Sequence, residues 1–140
     1  MNVVIMGCGR VGSAVAVRLS NEGHSVSVID PESFAFSRLP ESFHGRCVVG
    51  SGNDVRILGD VGIATADAFI AVASGDNRNI LASQRAKHIF GVATVVTRVK
   101  DPERSELFAQ LGLQTFSPTT IGAELAHAAL FSSTTASVEV

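Results

Sequence analysis

Three glycines near the start of the chain have the spacing of a turn that binds phosphate. They follow an apolar run at residues 2–6 and lie within the motif formed by Gly7, Cys8, Gly9, Arg10, Val11 and Gly12. In the pattern G-x-G-x-x-G the first glycine permits a tight bend, the second lets the backbone approach a pyrophosphate, and the third lets helix and strand pack closely. The free N–H groups and positive end of the following helix would hold the anion. The motif predicts a nucleotide site, and the alternative is a strand-to-helix turn without a ligand.

A carboxylate stands where the ribose of such a nucleotide is expected. Asp30 ends the second apolar run, about 20 residues beyond the glycines, as in dinucleotide-binding folds. Its oxygens can accept hydrogen bonds from both ribose hydroxyls, and its charge would repel a 2′-phosphate, which disfavours NADP. The alternative is that Asp30 caps a helix beginning at Pro31. The spacing from the glycines favours the ribose role, although one carboxylate can partly serve both.

Two side chains inside the glycine motif have alternative roles. The planar guanidinium of Arg10 suits a phosphate, and the alternative is a solvated arginine on the first turn of a helix. A helix N-terminus can lower the pKa of a thiol such as Cys8, but no base or resolving cysteine lies near it in sequence. We therefore predict a packing role for Cys8 rather than a redox role.

The elements that position these residues follow from the apolar pattern. Strands are predicted for the β-branched runs at residues 2–6, 25–29, 47–49, 68–72, 94–98 and 114–116. Helices are predicted near residues 11–22, 31–39, 53–59, 77–89, 102–111 and 118–131. Three of these helices would begin with an N-cap residue followed by proline, at Asp30-Pro31, Asp101-Pro102 and Ser117-Pro118. The alternation predicts an α/β fold, a Rossmann-like doubly wound sheet of about six parallel strands in the order 321456, with helices on both faces.

Composition and length narrow the class of protein. The chain has 140 residues and a formal net charge of −2, so we expect one domain without a strong field for nucleic acid or an anionic membrane. Its two cysteines make no disulfide framework, and no stretch approaches the roughly 20 apolar residues of a membrane span. A soluble, cytoplasmic protein without a signal peptide is expected. We expect 140 residues to be too few for a nucleotide-binding unit plus a full catalytic domain.

The middle of the chain contains segments that are more specific to one protein family than the glycine motif is. GIATADAFIAV (62–72) and DNRNILAS (76–83), together with TRVKDPE (97–103) and LGLQTFSP (111–118), resemble the TrkA N-terminal domain, also called RCK-N or KTN, of Trk/Ktr potassium-uptake regulatory proteins. The resemblance extends from Asn2 to about Leu130. It implies a cytoplasmic regulator rather than an enzyme, switched by NAD(H) or ATP/ADP. It also implies a homodimer that assembles towards a ring on a potassium-translocating membrane subunit.

The resemblance further implies which residues line the nucleotide. The glycine motif with Arg10 would hold the phosphates, and Asp30 would hold the ribose. The remaining positions along the nucleotide would be Pro31, Ser51, Gly52, Asn53, Ala73, Ser74, Gly75 and Arg98. These residues follow or end predicted strands, and open α/β sheets bind ligands at the carboxyl ends of their strands. Many members carry Asp or Asn at the position of Ser51, so a single hydroxyl is expected to give weaker or different adenine recognition.

No metal ligand or catalytic residue is predicted. Some ATP-binding members of the family carry a glutamate in an HPE segment that helps to place a cation, but this chain reads Ser117-Pro118-Thr119 there. The four histidines show no spacing suited to zinc. Asp76 and Asn77 are interpreted, at least in part, as N-caps of the helix at 77–89.

The last helix and the tail raise the question of partners. Ile121, Leu125, Ala128 and Ala129 form a stripe that favours a partner surface, and the alternative is packing on the chain's own sheet. The expected division is a nucleotide-binding domain at 2–131 and a linker or tail at 132–140, with the family's smaller C-terminal domain absent. Whether the chain is a truncated form or a natural single-domain protein stays open. So do two other functions, the cofactor half of an NAD-dependent oxidoreductase and an assembly module with a decayed nucleotide cleft.

Overall fold

The β-branched runs form a parallel sheet whose central strands are buried on both faces. The computed structural model describes residues 1–132 of the chain. The strands within that range are β1 (Asn2–Met6), β2 (Ser25–Asp30), β3 (Arg46–Val49), β4 (Ala68–Ala71), β5 (Thr94–Arg98) and β6 (Gln114–Phe116). They pair in parallel in the order β3-β2-β1-β4-β5-β6, which confirms the predicted Rossmann-like topology.

The connections are α-helical except for two short segments. The α-helices are α1 (Arg10–Asn21), α2 (Val55–Asp60), α3 (Asp76–His88), α4 (Pro102–Gln110) and α5 (Pro118–Phe131). Residues 33–38 and 63–65 form 3-10 helices. The α-helix predicted over 31–39 is therefore wrong in type and starts too early. The Asp30 carboxylate accepts a hydrogen bond from Glu32 N–H at 2.9 Å, and Glu32 itself is extended, so Asp30 does not cap the segment that follows.

Two apolar clusters pack these helices against opposite faces of the sheet. Ile5 of β1 packs with Ala16 of α1 on one face. Met6, the next residue of β1, packs on the other face with Leu58 of α2 and Ala82 of α3. Successive strand residues point to opposite faces, so one apolar strand can supply both clusters. Helices on both faces of the sheet are thus confirmed.

The winding of the chain reverses between β1 and β4. Met6 at the end of β1 lies beside Ile29 of β2 on one side and Ala71 of β4 on the other. The loop after β1 leads to a helix on one face, and the loop after β4 leads to a helix on the other. Such a reversal opens a crevice at the carboxyl edge of the sheet, where ligands bind in this class of fold.

The helices that begin at this crevice differ from the others at their first turn. The N-cap side chains of α2, α4 and α5 accept hydrogen bonds from backbone N–H groups of their own helices; these residues are Asp54, Asp101 and Ser117. α1 and α3 instead begin after Gly9 and Gly75, which have no side chain to do so. The N–H groups of their first turns have no partner inside the helix. The predicted caps at Asp101 and Ser117 are confirmed.

α5 stands apart from the rest of the fold. None of its residues is buried, and Leu125, Leu130 and Phe131 are 66%, 80% and 76% exposed. Packing of this helix on its own sheet, one of the two alternatives, is therefore wrong. Across residues 1–132 no helix has the length and apolar character to cross a bilayer. Of the tail predicted at 132–140, residues 133–140 lie outside the described residues.

Candidate nucleotide-binding site

The glycine motif forms a turn that only glycine can make. Gly7 has φ +108°, and a Cβ there would lie 2.7 Å from the backbone nitrogen of Ala73. A Cβ on Gly12 would lie 1.8 Å from the carbonyl oxygen of Gly7. The Gly7 N–H donates to the carbonyl of Ile29 at 2.8 Å, which fixes the turn to β2. The turn, the loop after β4 and the first turn of α1 are therefore packed backbone against backbone.

The middle glycine faces open space. A Cβ added to Gly9 would meet no atom within 4 Å, so the crevice is open at this point. The first hydrogen bond of α1 runs from Ser13 N–H to Gly9 C=O at 2.9 Å, which leaves the N–H groups of the preceding helical residues without intrahelical acceptors. The first turn of α1 also contains no acidic side chain. An anion fits this cradle by both geometry and charge.

Asp30, at the end of β2, is hydrogen-bonded to the same turn. Its Oδ2 accepts a hydrogen bond from Cys8 N–H at 2.8 Å, while its Oδ1 binds Glu32 N–H. Each carboxylate oxygen has a further lone pair, so ribose hydroxyls can still donate to it. The structure thus brings the predicted ribose carboxylate into direct contact with the predicted phosphate turn. Pro31, which follows, is exposed.

Cys8 is buried inside the turn, and its chemistry matches a packing role. Its side chain is 0% exposed and packs in the cluster beneath α1, to which the partly buried Val11 also belongs. Burial, together with the negative charge of Asp30, raises the pKa of the Cys8 thiol to about 11. A thiol that stays protonated is a poor nucleophile.

Arg38 is a site neighbour that sequence reasoning missed. From the 3-10 segment at 33–38, its Nη1 donates to the carbonyl of Cys8 at 3.4 Å, so its charge lies over the glycine turn. The only signal in the sequence was a basic residue shortly after Asp30. Arg10 is exposed at the start of α1, and its role as a phosphate ligand stays a prediction.

The loop after β3 lies against the other side of the crevice. Gly52 is buried, and a Cβ there would lie 2.1 Å from the sulfur of Met6, so this loop covers the end of β1. Asn53 ties the loop to α3, because its Nδ2 donates to Arg78 C=O at 3.3 Å and its own C=O accepts from Arg85 Nη1. The Ser51 hydroxyl accepts from Asn53 N–H at 3.1 Å. Their contact with adenine stays a prediction.

A buried asparagine, which sequence reasoning also missed, fixes the loop after β4. Asn79 is 0% exposed; its Oδ1 accepts from Ala73 N–H at 2.9 Å, and its Nδ2 donates to Ala73 C=O at 2.8 Å and Arg98 C=O at 3.0 Å. One amide therefore holds the ends of β4 and β5 together. Nothing in the sequence distinguishes Asn79 from the other polar residues of a helix that begins with several of them.

The remaining predicted residues lie at the carboxyl edge of the sheet, but not all on the same face of the sheet. Ser74 is exposed, and Gly75 precedes the first turn of α3. Thr97 donates to Ser83 of α3 at 2.7 Å, so the next residue of β5, Arg98, projects towards the opposite face, which α1 covers. The Arg98 Nε is buried without a hydrogen-bond partner. The structure therefore places Arg98 at the carboxyl edge of the sheet with its side chain on the face opposite α3, and its contact with a nucleotide stays a prediction.

The polar residues at the start of α3 do not cap it. The N-cap is Gly75, so the capping roles assigned to Asp76 and Asn77 are wrong. The Asp76 carboxylate instead accepts from Lys100 N–H at 2.8 Å and Asp101 N–H at 3.2 Å. These bonds join the start of α3 to the loop before α4. Within residues 1–132, no group of three or more His, Cys, Asp or Glu side chains is arranged to hold a metal ion.

The sheet order and the glycine turn at its switch point define a Rossmann-like α/β domain. The family model described as the TrkA-N domain matches residues 3–118, so the chain belongs to the TrkA-N domain family. It is 51% identical to the Trk system potassium uptake protein TrkA of Streptomyces coelicolor over 115 residues. These aligned residues cover 82% of this chain and 52% of that protein. It is 34% identical to the TrkA homolog of Pyrococcus abyssi, over 79% of this chain and 49% of that one. The chain spans about half the length of these curated relatives.

Solved structures share the fold at lower sequence identity. The Shewanella denitrificans Kef CTD in an AMP-bound form has a TM-score of 0.75 and 22% identity, over 97% of this chain and 86% of that chain. GsuK bound to ADP has a TM-score of 0.77 and 23% identity, over 92% and 33% of the two chains. The GsuK channel bound to NAD has a TM-score of 0.68 and 23% identity, over 84% and 21%. These likenesses confirm the fold.

Replacing the buried amide tests whether it holds the crevice together. Asn79→Ala removes three hydrogen bonds and leaves buried backbone groups without partners, so we expect a loss of about 2–4 kcal/mol in the free energy of unfolding. Asn77→Ala, on the exposed start of the same helix, is the control; it removes one solvent-exposed hydrogen bond, from Arg104, and is expected to cost about 0.5 kcal/mol. Urea unfolding followed by circular dichroism measures both. Equal stability of the two variants would contradict the assigned role of Asn79.

Proposed function

We propose that the chain is an adenine-nucleotide-binding regulatory domain and not an enzyme. The observation that carries this proposal is the open glycine cradle, in which Gly7 and Gly12 are in close backbone contact while Gly9 faces empty space beside the Asp30 carboxylate. A strand-to-helix turn that binds no ligand does not require open space at the second glycine, nor a helix N-terminus without a capping side chain.

The residues around the cradle fit the parts of an adenine nucleotide. The N–H groups at the start of α1 would bind the phosphates, and Asp30 would accept from the ribose hydroxyls. The adenine would lie towards the loop containing Ser51 and Gly52, which covers the end of β1. The Kef and GsuK structures of the same fold were solved with AMP, ADP or NAD bound, and these ligands share this adenosine part. NAD(H) and ATP/ADP are therefore the proposed ligands.

Changing the open glycine tests the cradle without disturbing the fold. Gly9→Ala places a methyl group in empty space, so the free energy of unfolding should change by no more than about 1 kcal/mol. The same methyl group stands where a phosphate must approach the backbone, so affinity for ADP and NADH should fall by about tenfold or more. Isothermal titration calorimetry measures the affinities.

Gly59→Ala is the matched control for this experiment. Gly59 also has open space around it, but it lies near the end of α2, so nucleotide affinity should stay at the wild-type value. The proposal fails if none of NAD, NADH, ATP and ADP stabilises the wild-type chain in a thermal-shift assay. Steady consumption of NADH with a small carbonyl substrate would instead favour the oxidoreductase function.

We further propose that α5 binds a second copy of this chain. Its stripe is exposed, with Ile121 at 44% and Leu125 at 66%, and the helix ends in the exposed Leu130 and Phe131. An apolar stripe on a helix without any buried residue is costly in water, and association removes this surface from solvent. The resemblance to ring-forming regulators supports a homodimer that assembles towards a higher-order ring.

Charge on the stripe should weaken self-association. Leu125→Glu buries a carboxylate in the proposed interface, so the dimer is expected to dissociate at protein concentrations where the wild type stays associated. Ala123→Glu adds the same charge on the other side of α5 and should leave the dimer intact. Sedimentation equilibrium measures the dissociation constants. A wild-type chain that is monomeric at high concentration, or equal effects of both variants, would contradict the proposed interface.

We propose that the regulated process is potassium uptake. Both curated relatives are named as Trk system potassium uptake proteins, and the chain belongs to the same domain family. In this proposal residues 2–131 form the nucleotide-binding domain and residues 132–140 a linker or tail. The domain is cytoplasmic and acts on a potassium-translocating subunit at the inner face of the membrane. Nucleotides would control transport by binding two conformations of the assembly unequally.

Measurements of potassium uptake in cells test whether nucleotide binding regulates transport. In cells that depend on the native protein for potassium uptake, Gly9→Ala should change the uptake rate at limiting external potassium, because the switch no longer receives its ligand. Gly59→Ala should leave the rate at the wild-type value. Rubidium uptake measures the rate. If deletion of the protein and both substitutions all leave uptake unchanged, potassium transport is not the regulated process.

A further inference from the structure

A groove runs beside β6, at the edge of the sheet farthest from β3. It has a volume of about 390 Å³ and is lined by the first half of α4, by β6 and by the first turn of α5. Each of these elements contributes one apolar side chain, and these are Pro102, Phe116 and Ile121. Ile121 also belongs to the exposed stripe of α5, so the groove continues the surface that is proposed to bind a second copy.

Three hydroxyl groups of the groove already have partners. The Ser105 hydroxyl donates to Thr115 Oγ1 at 3.0 Å, and the Thr115 hydroxyl donates to the Ser105 carbonyl at 2.7 Å. The Ser117 hydroxyl donates to Lys100 C=O at 2.8 Å and accepts from Thr120 N–H at 3.4 Å. A polar ligand would have to compete with these bonds, whereas an apolar group only displaces water from the apolar side chains. The groove therefore favours an apolar occupant.

α5 presents a second row of side chains beside its stripe. Residues three and four positions apart lie above one another on a helix, and one such row is formed by Thr120, Glu124, His127 and Phe131. Helical geometry places this row about 100° around the helix from the stripe. The rings of His127 and Phe131 are in contact, with their centroids 5.0 Å apart. Thr120 lines the groove together with Ile121, so the groove opens on the side of α5 that carries this row.

The position of Phe131 in a dimer follows from two-fold symmetry. Two copies of α5 that pair through the same stripe, about an axis perpendicular to the helices, run antiparallel with like sides facing each other. Leu125 lies at the middle of α5, so the axis passes beside it. Because Phe131 follows Leu125 by six residues, it lies opposite the residue six positions before Leu125 in the second copy, which is Thr119. The next residue, Thr120 of the second copy, lines the groove of that copy.

An antiparallel pair also suits the way α5 leaves the domain. The first turn of the helix borders the groove, whereas its last residues, Leu130 and Phe131, are 80% and 76% exposed. Antiparallel pairing brings the exposed end of each helix against the domain of the other copy. A parallel pair would leave both ends in solvent, with less apolar surface removed from water.

We propose that the Phe131 ring of each chain enters the groove of a second copy of this chain and packs against Phe116 and Ile121 of that copy. This contact rests on the self-association of α5 proposed above and names the surface that receives it. Aromatic rings supply a large apolar area, and side chains that fill pockets carry much of the binding energy of interfaces. The contact occurs twice in a two-fold dimer, so the assembly closes on itself.

Truncation of the ring tests the contact. Phe131→Ala should raise the dimer dissociation constant about ten- to hundredfold, because two buried rings are lost per dimer. Leu130→Ala is the matched control, since it removes an exposed apolar side chain at the neighbouring position but on the side of α5 away from the stripe. It should change the constant by less than about twofold. Sedimentation equilibrium measures both constants, and melting temperatures of the dilute variants equal to that of the wild type would show that both fold.

A fluorescent probe reports whether the ring leaves water in the dimer. The chain contains no tryptophan, so Phe131→Trp introduces a single fluorophore. Its emission should shift to shorter wavelength as the protein concentration rises through the dissociation constant, because the indole becomes buried. Leu130→Trp should emit as a solvated tryptophan at every concentration.

A nitroxide label identifies the groove as the place where the ring lies. Cys47→Ser removes the exposed thiol and Cys8 is 0% exposed, so Glu106→Cys directs the label to the groove alone. When labelled chains are mixed with chains that carry Phe131→Trp, the label should quench the tryptophan emission across the interface. A label at Arg56→Cys, on α2, is the control and should leave the emission unchanged.

The outcomes separate this contact from the self-association on which it rests. If the chain dimerises but Phe131→Ala and Leu130→Ala have equal effects, the groove is wrong and the dimer stands. The same conclusion follows if the Phe131→Trp emission stays that of solvated indole in the dimer, or if the two labels give equal emission. A wild-type chain that is monomeric at high concentration would contradict both the groove and the self-association.

Discussion

The backbone contact between Gly7 and Gly12 is the constraint on which the rest of the site depends. A Cβ on Gly12 would overlap the Gly7 carbonyl oxygen, and a Cβ on Gly7 would contact the backbone of Ala73. Because neither residue has a side chain, α1 can begin directly above the end of β1 while the loop after β4 passes beside it. The open position at Gly9 exists only because these two contacts hold the backbone around it.

Polar side chains then join this cradle to its neighbours. Asp30 binds the turn to the end of β2, and Asn79 binds the ends of β4 and β5 to each other. Asn53, in the loop after β3, donates a hydrogen bond to a carbonyl of α3. Asp76, at the start of α3, accepts one from the segment before α4. Each loop at the carboxyl edge is therefore tied to another element by a side chain. A ligand that moves one loop would act on its neighbours, which is what a regulatory domain requires.

The same fold leaves one apolar surface exposed. α5 exposes apolar side chains and has no buried residue. Burial of α5 by a second copy would be driven by removal of apolar surface from water.

The sequence by itself determined the sheet, its strand order and the phosphate turn, because apolar β-branched runs and glycine spacing act through local backbone geometry. It also located the caps at Asp101 and Ser117, where proline follows the capping residue. Only the tertiary structure decided the roles of Asn79, Arg38, Asp76 and Arg98. Their hydrogen bonds, or the face of the sheet that they occupy, depend on residues distant in the chain. The ion pair between Arg104 and Asp76 was undecided for the same reason, because ion pairing depends on three-dimensional distance and not on spacing along the chain.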